Sequence, residues 1–86
     1  MPPSPKPQRY LGQAVRQLRT ERGWTQAVLA ERAGMNETYM PQVEAGTRNP
    51  SWANVVRLAE AFGIKTSELA ALAEAIERDG SVCPRD

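Results

Sequence analysis

Apolar residues recur at three- and four-residue spacing through most of the chain, the period of a helix that buries one face. Leu11, Ala14, Val15 and Leu18 define such a face and predict a first helix over 8–22, with Arg9, Arg16, Arg19 and Arg22 around the rest of its circumference. Gly23 ends it, as glycine does just past a helix C-terminus. Thr25 then stands at a cap position, and a second helix is predicted over 25–33, packing through Leu29, Ala30 and Ala33. Trp24 and Leu29 have the spacing of a hydrophobic staple across that cap. Gly34 supplies the positive φ of the next turn. Asn36 caps a third helix over 36–45, with Met40 and Val43 facing inward and Gly46 stopping it. Ser51 caps a fourth helix to Phe62, whose inner face reads Trp52, Val55, Leu58, Ala59 and Phe62. A fifth runs over 66–77 on the stripe Leu69, Leu72, Ala73 and Ile76. No segment alternates with period two for long enough to be a strand. The pattern predicts an all-α fold, five helices joined by short loops into one compact domain.

Residues 23–46, GWTQAVLAERAGMNETYMPQVEAG, carry the most information about function. They read as two short amphipathic helices joined by a glycine turn. The second has an apolar inner side and a polar outer side without a basic residue. A helix-turn-helix presents its reading surface to the major groove in this way, which points to double-stranded DNA as partner. One residue conflicts with the pattern. Pro41 falls inside the third helix, where it lacks the N–H that would bond the Glu37 carbonyl and its ring crowds that carbonyl. Two outcomes follow: residues 36–40 form a loose or 3₁₀ turn and the helix starts late, or the helix kinks and re-aims Glu37 and Thr38.

Charge changes this picture only in its distribution. The net charge is +1, too small for binding by phosphate neutralisation alone, so useful affinity requires geometry and therefore sequence. Residues 1–50 carry seven Lys/Arg and four Glu, a net +3, and residues 51–86 carry four Lys/Arg and six Asp/Glu, a net −2. One face is thereby expected toward phosphates and another toward solvent or a partner subunit. Cys83 is the single cysteine and histidine is absent, which excludes an internal disulfide and a His/Cys metal site. No apolar run approaches the ~20 residues of a membrane span. The four prolines of residues 1–7 make residues 1–8 an extended arm, and 79–86 is expected to be a frayed tail, leaving 9–78 as the domain. An active site is not expected: there is no histidine base and no phosphate-cradling glycine loop, and Glu74, Glu77 and Asp79 read as a solvated helix end. No metal or cofactor is expected.

The runs LGQAVRQLRTERGWTQAVLAERAG, MNETYMPQVEAGTRNPSW and VVRLAEAFGIKTSEL resemble the lambda-repressor-like helix-turn-helix family, also called the XRE or Cro/C1 type, over about residues 9–72. GWTQ, LAERAG, VEAG and NPSW followed by LAEAFGI are its most specific pieces, in order and at the family's spacing. The resemblance implies a five-helix domain with the helix-turn-helix at about 25–45 and its third helix in the major groove. It implies a transcriptional regulator, a repressor or a controller-type autoregulator, acting in the cytoplasm on the nucleoid. It also implies a homodimer on a pseudo-palindromic operator.

Carried over residue by residue, the resemblance assigns base reading to Glu37, Thr38 and Gln42. Gln pairs with adenine, Thr offers a methyl to thymine or a hydroxyl to a base, and Glu accepts from cytosine N4 or excludes wrong sequences. Phosphate contacts fall to Thr25 and Gln26 at the start of helix two, where free amides favour an anion. They fall also to Asn36 and Tyr39 beside the reading face and to Thr47, Arg48 and Asn49 in the loop after helix three. Arg19 and Glu44 correspond to a partly buried salt bridge between helices one and three. In the fifth helix Leu72 and Ile76 extend the apolar stripe beyond what a small core needs. They fit a homodimer interface, and a small protein partner, as for an antitoxin and its toxin, is the rival occupant.

Overall fold

A computed structural model describes residues 7–79. It contains five α-helices: α1 Pro7–Glu21, α2 Gln26–Ala33, α3 Met40–Ala45, α4 Trp52–Phe62 and α5 Thr66–Asp79, with a 3₁₀ turn at Glu37–Tyr39 immediately before α3. The arm expected over 1–8 and the tail expected over 79–86 lie largely outside the described residues. Their inner ends do not: Pro7 and Gln8 are already in α1, and Asp79 is still in α5. Pro7 fits the first turn of α1 because the amide it lacks would have had no intrahelical acceptor there.

The bundle is built around α1, which packs along α5 on one side and α3 on another, while α2 packs chiefly against α4. Val15, Leu29, Met40, Val43, Leu58 and Leu69 are fully buried at the centre, each worth about 1.5–3 kcal/mol of apolar burial. Among the described glycines, Gly12 is the most tightly packed. A Cβ there would collide with the Val43 carbonyl oxygen and sit 2.7 Å from the Glu44 carbonyl oxygen. Glycine is thus what allows α1 to lie directly on the backbone of α3.

Side-chain caps set the element boundaries. The Thr25 hydroxyl accepts from the Val28 amide at 3.1 Å and that of Ser51 from the Asn54 amide at 3.2 Å. Glu68 reaches back to the Lys65 amide at 2.8 Å, half of a capping box at the start of α5. Trp24 stacks on Phe62 with ring centroids 5.8 Å apart. Arg22 lies over the Phe62 ring at 5.0 Å and donates to the Phe62 carbonyl at 2.8 Å, and Arg32 covers Trp24 at 4.6 Å. This stack joins the end of α1, the start of α2 and the end of α4.

Of the two outcomes expected at Pro41, the late start is the one found, with residues 37–39 in the 3₁₀ turn and α3 beginning at Met40, so the helix expected over 36–45 is divided. The Glu37 carbonyl accepts from the Met40 amide instead of from residue 41, so Pro41 falls in the first turn of α3, where its missing N–H is harmless. Trp52, placed by its periodicity on the inner face of α4, is 71% exposed. The stripe it belongs to runs past the end of the core, in which α4 buries Leu58, Ala59 and Phe62 and against which it packs Val55 and Ala61. Ile76, expected on a dimer surface, is buried in the core of the monomer, and Leu72 is half-buried against that core.

Candidate nucleic-acid interface

The expected base readers, Glu37, Thr38 and Gln42, are all exposed. Glu37 and Thr38 sit on the 3₁₀ turn and Gln42 on α3. A 3₁₀ turn advances about 120° and 2.0 Å per residue against about 100° and 1.5 Å for an α-helix. Glu37 is therefore displaced by roughly 60° about the axis from its place in an unbroken helix.

Hydrogen bonds inside the segment fix what each side chain can still offer. The Thr38 hydroxyl donates to Asn36 Oδ1 at 2.8 Å, and the Thr38 amide donates to the same oxygen at 2.9 Å. Thr38 is left with its methyl and its acceptor lone pairs, and Asn36 with its amide N–H groups. Gln42 Nε2 donates weakly to the Thr38 carbonyl at 3.4 Å, leaving Oε1 and a second N–H for a base edge. The loop folds back onto the end of α3: the Thr47 and Arg48 amides donate to the Gln42 carbonyl at 3.0 and 3.3 Å, and the Thr47 hydroxyl reaches it at 3.3 Å. Arg48 is thereby tied to the end of α3, and its guanidinium lies 5.4 Å from the centre of the Tyr39 ring.

Two hollows border this segment. The larger, about 580 Å³, is lined by Asn36, Thr38, Tyr39, Gln42, Arg48 and Asn49 among others. The smaller, about 270 Å³, lies across α3 and is lined by Arg16, Arg19, Gln26, Pro41, Glu44 and Ala45. Glu37, Thr25 and Thr47 line neither. The hydroxyls of Thr25 and Thr47 serve their own backbone, the first as the α2 cap and the second at the end of α3.

The floor of the smaller hollow is an ionic network. Arg19 Nε donates to Glu44 Oε2 at 2.6 Å, Arg19 Nη2 to Glu44 Oε1 at 3.0 Å, and Arg19 Nη1 to the Trp24 carbonyl at 2.8 Å. Gln26 Nε2 adds a 3.0 Å bond to Glu44 Oε1. Glu44 is 8% exposed, the one buried charged residue among those described. The hydrogen bond to Glu44 holds the Arg19 guanidinium above its ordinary pKa against the opposing effect of burial. The network locks α1, the start of α2 and α3 together, and so sets the tilt of α3. It also fixes the Gln26 amide, with one N–H committed to Glu44 and the other free.

Arg19–Glu44 is the only ion pair among the described residues. Arg16, Arg48 and Arg57 therefore stand beside the 3₁₀–α3 segment without a carboxylate partner. Arg16, Asn54 and Arg57 line the hollows but were not singled out from sequence. Their signal was weak: each is one polar residue on the solvent side of a helix, and only packing shows which solvent side borders the 3₁₀–α3 segment.

A family profile described as "Helix-turn-helix domain" matches residues 10–78. The chain belongs to the helix-turn-helix family. This helix-turn-helix chain is similar to the HTH-type transcriptional regulator RamB of Mycobacterium tuberculosis, 42% identical over 55 residues, 64% of this chain but 12% of that protein. It thus spans about an eighth of that relative's length. It is also similar to the control protein C.BamHI of Bacillus amyloliquefaciens, 36% identical over 59 residues, covering 67% of this chain and 73% of that one. Among solved structures, the restriction-modification controller protein C.AhdI of Aeromonas hydrophila superposes with a TM-score of 0.69 at 40% identity, over 72% of this chain and 94% of that one. The five-helix arrangement is accordingly that of the lambda-repressor-like helix-turn-helix domains.

Proposed function

We propose that this chain is a transcriptional regulator that binds double-stranded DNA sequence-specifically and places the 3₁₀–α3 segment in the major groove. One observation carries the reading: the 3₁₀–α3 segment exposes Glu37, Thr38 and Gln42 and lines two hollows, through Thr38 and Gln42 in one and Pro41 and Ala45 in the other, that each present an arginine with no carboxylate partner. Base-edge donors and acceptors in the middle with cations on both sides is the layout a groove-reading helix needs, because phosphates position the protein and bases specify the site. The names of its relatives, transcriptional regulator and control protein, agree with it. Gln26, Asn36, Tyr39, Arg48 and Asn49 hold phosphates; Thr25 and Thr47 contribute mainly through the backbone they brace.

The regulator acts as a homodimer on a pseudo-palindromic operator, with half-sites about one helical turn apart. Ile76 is spent on the monomer's core, so the contact between copies moves to Trp52. It is the large apolar side chain left exposed among the described residues, and with Tyr10, Leu11, Pro50, Val55 and Ala73 it lines an apolar groove beside α5. Repression requires only occupancy of the operator, and the working location is the cytoplasm, on the nucleoid. Selection of bound sequences from random duplex DNA by the full chain tests the reading. Enrichment of a short inverted repeat is expected; recovery of unenriched sequence overturns it.

A further inference from the structure

The larger hollow differs in chemistry from every other surface recess described. Its lining holds two guanidinium groups, Arg48 and Arg57, with the side chains of Asn36, Asn49, Asn54 and Ser51, and no carboxylate. The groove beside Trp52 is the reverse, with Glu74 and Glu77 and no Lys or Arg. Two like charges facing one polar recess repel each other unless an anion lies between them. Neither arginine has an ion-pair partner among the described residues. Arg48 reaches the recess from the loop tied to the end of α3, whereas Asn54 and Arg57 reach it from α4, outside the helix-turn-helix proper.

We propose that Arg57, with Asn54 beside it, holds a DNA phosphate additional to the one held by Arg48, so that α4 forms part of the grip on one strand. Gln42 and Asn36 line the same recess, which puts a backbone running along it next to the readers of its own bases. Arg57 thereby acts on register: it anchors the strand whose base edges Gln42 meets. The proposal rests on the DNA-binding reading and refines which residues make up the interface.

The test is the salt dependence of binding. Affinities of the full chain for a duplex carrying the selected inverted repeat, and for a scrambled duplex, are measured by fluorescence anisotropy at several salt concentrations. The variants are Arg57→Gln, Arg48→Gln, the double variant, and Arg78→Gln on α5, which lines none of the hollows described. One phosphate contact contributes about 0.9 to the slope of log K against log[salt]. Because the homodimer carries each substitution twice, R57Q is expected to flatten the slope by about 1.8, the double variant by about 3.6, and R78Q to leave it unchanged. The affinity lost by R57Q should be similar on both duplexes. Arg57 is exposed, and circular dichroism confirms the variant's folding. A wild-type slope retained by R57Q while R48Q flattens it, or an equal fall in R78Q, overturns the assignment of Arg57. Absence of duplex binding by the wild-type protein overturns the DNA-binding reading as well.

Discussion

Glu44→Ala is the substitution with the largest calculable consequence. Glu44 accepts from Arg19 Nε at 2.6 Å, from Arg19 Nη2 at 3.0 Å and from Gln26 Nε2 at 3.0 Å. The paired side chains are 13% and 5% exposed, so solvent does little to screen the pair or to rescue the arginine once its partner is gone. Removing one member of a buried pair costs about 3–5 kcal/mol, mostly the cost of leaving the other charge uncompensated. A domain of this size has roughly 4–13 kcal/mol of stability in total. At about 4–8 °C per kcal/mol, the midpoint of thermal unfolding should fall by roughly 12–40 °C. Circular dichroism melts and urea titration read this directly. The double variant Arg19→Met with Glu44→Leu supplies the control: exchanging both charges for apolar groups of similar size should return stability to about the wild-type value or above it. The raised pKa of Arg19 also fixes the sign of the pH dependence. The contribution of its charge is fully present below the ordinary arginine value and lost only as pH rises through the raised one, so the pair should not weaken on the arginine side at any physiological pH. If E44A unfolds within 1 °C of wild type, or if the double variant falls as far as E44A, the network is not what fixes the reading helix.

Three further outcomes are expected. Gly12→Ala should cost upwards of about 3 kcal/mol in urea unfolding, since the added methyl meets the carbonyls of residues 43 and 44 rather than a side chain that can turn aside; a loss below about 1 kcal/mol would mean that α1 and α3 are not in backbone contact. Pro41→Ala should lose about 0.5–1 kcal/mol, because a proline accommodated in a first turn stabilises by restricting the unfolded chain; a gain approaching ~3 kcal/mol would mean that the proline interrupts a helix interior. Trp52→Ala should leave the monomer's stability within about 0.5 kcal/mol yet weaken self-association tenfold or more in sedimentation equilibrium, as loss of a buried aromatic anchor does; an unchanged dimerisation constant would remove Trp52 from the interface.

Periodicity was enough to place the five helices, because each of the four connections carries a glycine and a side-chain cap that ends or starts a helix regardless of the rest of the chain. Tertiary geometry was beyond its reach. Trp52 lies on the same stripe as Val55, Leu58 and Phe62, but a stripe does not say where the opposing helices end. Ile76 looked surplus because periodicity does not show how deep the core runs under α5, where Ile76 is buried. Gly12 is a small residue in an amphipathic helix until its neighbours across the interface are known. Pro41 marked a conflict correctly, but its resolution depended on whether the Glu37 carbonyl could find another donor, and the Met40 amide supplied one. Gln26 was visible as a helix-start residue, while its bond to Glu44 required α3 to be in place. Arg57 was the hardest to see, being one exposed arginine among several until the recess it shares with Arg48 was formed.

The central claim is that the 3₁₀–α3 segment reads bases, and selection from random duplex DNA with Gln42→Ala beside the wild-type chain tests it most directly. Gln42 is exposed, spends only a 3.4 Å contact on its own helix and braces no other element through its side chain. The variant should therefore fold and bind, keep the half-site spacing, and lose base preference at one symmetry-related pair of positions in the inverted repeat. An inverted repeat identical in every position to the wild-type one would contradict the claim.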